Sequence, residues 1–377
     1  MQLDFHYYAT FCAAILAGFS PEEAHATAYA DQFVDECSAT LLAKIKGPTA
    51  AATTQLQSEL LNARTDRSGL RDITRIWSSF HFLPADLFAE VGRGGKRYKN
   101  KYRLICGPNG PLVADTVRLA KGRGPQAAGI AMHVLSDTWA HRYFAGTPSL
   151  VINNTDYHFY ELTDDGAEPE RQIRFNHNPL GADDPEKGVY TNSLFQTSEK
   201  SIMNLGHGRA GHFPDYSYAR YRYLPAWGDY REVVKDNPSD YFKAFCQMVF
   251  ALKYLHGDVP EFAVDTYDED AVAPYADRIR RIIRERRTDA SADWRALGEE
   301  LSGGEVEEFD ILKYQSEYRD ADDKQGTFLG RFIAAALAQK KTVADSIGRS
   351  GNPLAGFPVG QKKKKARRAG EEAGENE

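Results

Sequence analysis

Apolar positions recur along most of this chain at the three- and four-residue spacing of helices, and alternate as in strands over only one stretch. Asp4 to Ala17 reads as a first helix, closed by Gly18. Ser20-Pro21-Glu22-Glu23 starts a second, with Ser20 as N-cap, Pro21 at the first helical position and Glu in capping-box register. This helix is expected to continue towards Lys46 and to stop at Gly47-Pro48. Thr49 to Thr74 is polar and reads ambiguously. From Asn237-Pro238-Ser239-Asp240 a strong helix runs to His256-Gly257, and Tyr241, Phe242, Phe245, Met248, Val249, Leu252 and Leu255 form its apolar stripe. Residues 264–340 look like further amphipathic helices, their Arg and Glu runs being solvated faces. Two segments, Tyr157–Thr163 and Arg171–His177, alternate like strands around Asp164-Asp165-Gly166.

The pattern predicts a mainly α fold. A helical domain over 1–260 carries a β-hairpin insertion at about 145–200. A helical C-terminal extension follows over 261–349, and 350–377, Gly/Pro-rich and then strongly charged, is expected to be disordered. There is no internal repeat.

Composition narrows the class. At 377 residues, 42% hydrophobic and 12% aromatic, the chain can bury a substantial core. A net charge of -6 excludes a surface that is basic throughout, although the run at 362–368 could contact nucleic acid or an anionic membrane. The four cysteines, Cys12, Cys37, Cys106 and Cys246, are far apart with no Cys-x2-Cys spacing, which predicts buried free thiols. No run reaches the length of a membrane span, and the apolar residues 9–19 lack a basic region before them, so a cytoplasmic location is expected. The Gly-rich basic loop from Gly92 to Arg103 lacks the Gly-Lys-Ser/Thr ending of a phosphate-binding loop.

The candidate chemistry lies in histidine and aspartate. His133, Asp137 and His141 occur at i, i+4 and i+8 in the helical stretch Gln126–Phe144. Each step of four residues turns the azimuth by about 40°, so the three side chains share a face within roughly 80°. Ile130, Val134, Leu135 and Trp139 surround them. Buried ionisable groups cost several kcal/mol unless paired or metal-bound, so three in register on an apolar helix point to a metal. Other candidates are spread along the chain: His6 near the first helix start, Asp31 and Asp35 on one face of the second, His81 in an apolar segment, and His207, His212 and Asp215 in GHGRAGHFPD. His158 and His177 read as hairpin surface residues, and His256 as a helix-end residue.

This order of histidines and aspartates resembles the superfamily of zinc-dependent phospholipases C and single-strand-specific zinc nucleases, all-helical enzymes with three zinc ions in one cleft. The fit runs from His6 to about Asp215. The segments DFHYYATFCAAILAG, HVLSDTWAH and GHGRAGHFPD also resemble an uncharacterised bacterial family placed near that superfamily. The resemblance implies that Asp35 or Asp31, His81, His133 and Asp137 hold a first metal. His141, His207 and either His212 or Asp215 would hold a second, and His6 with a bridging Asp137 a third. Two departures stand out. The superfamily uses a processed N-terminal Trp as ligand, whereas Met1 stands here, so Asp4 is expected to substitute. The closing motif reads His207-x4-His212-x2-Asp215. Two metals instead of three is therefore an open reading.

The implied activity is hydrolysis of a phosphate ester with zinc, or with manganese or another divalent ion. Asp35 would orient or deprotonate the attacking water, and Arg142 and Arg209 would meet phosphoryl oxygens unless they form ordinary surface ion pairs. Tyr216–Tyr223, where Tyr and Arg alternate, would either stack bases or pack as an aromatic loop. Two other readings remain: a non-catalytic protein that keeps the metal-site residues, and an interaction protein working through its charged C-terminal helices and tail.

Overall fold

The computed structural model describes residues 1–63, 67–90, 95–155, 158–163, 170–177, 181–192 and 206–357. The fold is mainly α-helical, with small sheets on one side. At its centre the helix Pro125–Ala140 packs against Pro21–Glu36 and Asn237–His256. Every side chain from Gln126 to Ala140 is buried, as expected of a helix apolar on nearly all faces. Gly129 lets it approach Pro21–Glu36 closely, because a Cβ there would lie 2.3 Å from the Thr27 carbonyl oxygen and 2.7 Å from the Asp31 amide nitrogen. The site residues of both helices are thereby brought face to face.

The helix Phe328–Ser350 packs on Pro125–Ala140 and on Arg67–Phe80. One hydrophobic core holds buried residues from Met1 to Ala355, so residues 261–349 share it with residues 1–260. Among the described residues no helix is long and apolar enough to cross a membrane. All four cysteines are free and buried.

Helix boundaries follow the sequence signals where caps are strong. Ser20 caps Pro21–Glu36 in a full capping box with Glu23, and Asn237–His256 ends at Gly257 with φ 119°. The second helix does not reach Lys46, however. It stops at Glu36, and Ser38 accepts from Leu41 N–H to cap a separate helix, Ala39–Lys44. The break frees the Cys37 carbonyl to accept from Thr53 N–H. The first helix is also modified, opening with a π-helical turn, Asp4–Ala9, before Thr10–Leu16.

The strands exceed the expected hairpin. β1 (Tyr160–Leu162) pairs antiparallel with β2 (Glu170–Gln172), Tyr160 opposite Gln172, while the expected turn at 164–166 lies outside the described residues. A short β3 (Arg174–Asn176) pairs parallel with β4 (Val189–Thr191). β5 (Arg220–Tyr223) and β6 (Val233–Asp236) extend the first pair into a sheet ordered β2-β1-β5-β6. The Tyr/Arg alternation is thus a strand. Tyr221 and Tyr223 point inward and join Phe144, Phe159, Tyr190 and Phe213 in a second, aromatic core. Packing, not base stacking, accounts for these tyrosines.

The expectation of disorder over 350–377 fails for its first residues. Asn352 bonds to the Asn100 carbonyl at 2.7 Å and caps the 3-10 turn Pro353–Ala355, whose Ala355 is buried. The basic run at 362–368 lies outside the described residues.

One buried cation predicts a pH effect on stability. Lys340 donates to the carbonyls of Ala50 and Ala52, and burial pushes its ammonium from 10.5 down to about 8, against the opposing pull of Cys37 and Asp72. Between these values the unfolded chain holds the proton and the folded chain does not. The contribution of Lys340 to stability therefore rises with pH from about 8 to 10.5. A shift of this size corresponds to roughly 3 kcal/mol, or about 2 kcal/mol after allowing for partial exposure. Urea unfolding of metal-free wild type and Lys340→Met, at several pH values, is expected to give curves that diverge by that amount across the window. Parallel curves would show that Lys340 keeps its proton in the folded state.

Candidate metal centre

Asp137 is the hub of the site. It lies on the inner face of Pro125–Ala140, 1% exposed, and its two oxygens face different partners. Oδ1 is 2.8 Å from the amino group of Met1 and 3.4 Å from His6 Nε2. Oδ2 is 3.2 Å from His133 Nε2, 3.3 Å from His81 Nδ1 and 3.4 Å from His141 Nδ1. A carboxylate so placed can bridge two ions.

One nitrogen of each of three rings is held by a backbone carbonyl. His81 Nε2 meets the Thr53 carbonyl at 2.9 Å, His133 Nδ1 the Asp31 carbonyl at 3.0 Å, and His141 Nδ1 the His81 carbonyl at 2.7 Å. An imidazole donating one N–H to a carbonyl presents the other nitrogen as a lone pair, the arrangement typical of metal ligands. His141 Nε2 and His207 Nε2 converge on Asp215 Oδ1 at 2.8 and 3.0 Å.

Three sets of donor atoms come together: His6, Asp31 and His133; Asp35, His81 and His133; His141, His207 and Asp215. The residues fit divalent ions of zinc type, being imidazole and carboxylate in groups of three. His6 supplies the sharpest sign of fit. Both its ring nitrogens are buried without an aligned hydrogen bond, although carboxylate oxygens stand 2.8 to 3.8 Å away.

Charge is concentrated here. Burial pushes the Asp137 and Asp215 carboxyls up, yet both are held well below the usual range: Asp137 by His141, the Met1 ammonium and His133, and Asp215 by His207 and the same ammonium. Burial opposes protonation of Met1 and His133. Asp137, Asp215 and Asp35 nevertheless raise the amine to about 11, and Asp137 and Asp35 raise His133 to about 10.

A cleft of about 260 Å³ opens onto this cluster. Asp35, His81, His141, His207, Asp215 and Met1 face it, together with Thr54, Gln55, Trp77, Phe82 and Asn153. None of these last five was picked out from the sequence, since nothing in their local spacing distinguishes them from ordinary helix-end and loop residues.

Four expected site residues fall elsewhere. Asp4 turns away to accept from the Ala290 N–H at 3.0 Å, and burial pushes its carboxyl up to about 6. Residues two apart on a helix point to nearly opposite sides, so Asp4 and His6 cannot both face Asp137. The Met1 amino group, 2.8 Å from Asp137 Oδ1, stands there in place of the expected Asp4. His212 follows Gly211, whose φ of 60° reverses the chain. Its side chain is 63% exposed, 3.9 Å from Asp183, which leaves Asp215 as the closing residue. Arg142 lies over the Tyr143 ring and 3.8 Å from Asp240, while Arg209 donates to the Thr155 carbonyl. Neither lines the cleft. Of the hairpin histidines, His158 is exposed and His177 bonds to Asn192 at 3.0 Å.

Residues 1–347 match the model of a family of unknown function, DUF6765. The chain belongs to this family. The match takes in every residue of the cluster from Met1 to Asp215 and nearly all of the Phe328–Ser350 helix behind it. No protein of curated function and no solved structure matches the chain.

Proposed function

We propose that this DUF6765 protein is a metal-dependent hydrolase of phosphate esters, working with two or three zinc-type ions. The observation that carries the proposal is the orientation of the rings. His81, His133 and His141 each tie one nitrogen to a backbone carbonyl and turn the other to Asp137 or Asp215, and His81, His141 and Asp215 line an open cleft. Purely structural buried histidines have no need of an opening.

Asp35, His81, His133 and Asp137 would hold one ion, and His141, His207 and Asp215 a second. His6 and Asp137 would hold a third, with the Met1 amine as a further donor in a chain that begins there. Such ions polarise phosphoryl oxygens and stabilise the charge that develops on attack. Asp35, 30% exposed and facing the cleft, can hold an attacking water and take its proton. Trp77 and Phe82 offer flat apolar surface beside it, and Gln55 and Asn153 offer amides.

One observation favours a non-catalytic metal-binding protein instead: among the described lining residues there is no Lys or Arg to meet a phosphate. Metal analysis of protein purified without a metal-binding tag, followed by a chromogenic phosphodiester assay with added zinc or manganese, tests both readings. Zinc or manganese uptake with turnover supports the hydrolase. Uptake with no turnover over a broad phosphoester panel leaves the binding protein, and no uptake removes both.

The N-terminus supplies a separate prediction. A chain carrying extra residues ahead of Met1 loses the amino group next to Asp137, which would serve an ion once that ion had displaced its proton, and is expected to bind about one ion fewer. Asp4→Asn should keep the full metal content, since Asp4 faces Ala290. Elemental analysis of the two proteins checks this, and equal loss in both would return Asp4 to the site.

A further inference from the structure

Asp31 stands one helical turn before Asp35, yet it is fully buried and forms no part of the cleft wall. Its carboxylate meets two rings. Oδ1 lies 3.2 Å from His133 Nδ1 and 2.8 Å from His6 Nδ1. The other oxygen accepts from Thr10 Oγ1 at 2.6 Å. The rings of His6 and His133 stack at 3.9 Å with 18° between planes. Both turn Nδ1 to Asp31 and Nε2 to Asp137 and Asp35.

We infer that Asp31 is a positioning residue and not a ligand: one carboxylate shared by His6 and His133, fixing which nitrogen each ring offers and so coupling the two ion sites that these rings serve. The inference rests on the metal centre proposed above.

A carboxylate only accepts hydrogen bonds, so a neutral ring beside it is best placed with its proton on Nδ1. Nε2 is then bare, on the side of the bridging Asp137. The same contact makes the ring a stronger donor to a metal. His133 Nδ1 is shared between this carboxylate and the Asp31 main-chain carbonyl at 3.0 Å, both of which favour the proton there, whereas the shorter contact to His6 is off the ring axis and restrains it by charge and packing. Thr10 in turn fixes the carboxylate. A ligand role fits less well, because Asp31 faces Nδ1 of both rings, whereas Asp137 and Asp35 face the Nε2 atoms that the rings would offer to an ion.

The test uses the full chain, stripped of metal and titrated with zinc against a chromophoric chelator, with zinc-edge X-ray absorption at saturation. Asp31→Asn is expected to weaken the two sites served by His6 and His133 by about 10- to 100-fold. The number of ions at saturation and their coordination should be unchanged, and the site of His141, His207 and Asp215 should keep its affinity. Saturation with one ion fewer would make Asp31 a ligand and overturn the inference, as would binding as tight as wild type. Wild type that takes up no zinc would overturn the metal centre itself, a different result from an indifferent Asn variant. Thr10→Val, which leaves the carboxylate in place without its anchor, covers the case in which Asp31→Asn does not fold. It is expected to weaken the same two sites by several-fold, and unchanged affinity there would overturn the inference.

Discussion

Asp137→Asn is expected to lower phosphoester turnover by about 10³-fold or more. Bound ions contribute several kcal/mol of transition-state stabilisation, and each 1.4 kcal/mol is a factor of ten. Asn keeps the size of the side chain but not its charge, and one amide oxygen cannot serve both the His6 side and the His133 side as the two carboxylate oxygens do. The substitution also has a cost without metal. The buried Met1 ammonium loses its partner at 2.8 Å, and removing one member of a buried pair typically costs about 3–5 kcal/mol. Turnover must therefore be compared at a temperature where circular dichroism shows the variant folded, with metal content measured on the same sample. Folded protein that retains turnover would place the chemistry away from Asp137.

That His133, Asp137 and His141 lie together was legible in the sequence, because helical periodicity is local and the three share a face by arithmetic alone. The helical class was legible for the same reason, as were the Ser20 cap and the Gly257 stop. What escaped depends on the path of the chain between elements. Whether His212 or Asp215 closes the site is decided by the left-handed turn at Gly211, a conformation that glycine permits but does not announce. β5 and β6 are four residues each, and β5 joins a strand some sixty residues earlier while β6 pairs only with β5, so their alternation could not be told from a loop. Asp4 is a different kind of miss. Its divergence from His6 follows from helix geometry alone, since residues two apart face nearly opposite sides.

Gly129→Ala is expected to damage both the fold and the site, and a second glycine provides its control. A helix-interior Gly→Ala change gains about 1 kcal/mol in propensity where the added methyl meets nothing. Gly348, in the Phe328–Ser350 helix, is such a position, with no heavy atom within 4 Å of a built Cβ. At Gly129 the methyl would meet the Thr27 oxygen at 2.3 Å, Ala30 Cβ at 2.6 Å and the Asp31 nitrogen at 2.7 Å. Two of these three atoms are backbone, so the helices must separate, because no side chain can swing aside. Overpacking of this kind costs roughly 1–3 kcal/mol or more, outweighing the propensity gain. The separation also acts on chemistry. Asp31 and Asp35 ride on one helix and His133 and Asp137 on the other, within 3.2 to 3.8 Å across the gap. A shift of a few tenths of an ångström there should loosen zinc by at least about tenfold, the effect of a disturbed supporting shell. Denaturant unfolding is therefore expected to show Gly129→Ala less stable than wild type and Gly348→Ala slightly more stable, with zinc affinity falling only in the former. If the two variants behaved alike, the Pro125–Ala140 and Pro21–Glu36 helices could not lie as close as the site geometry requires.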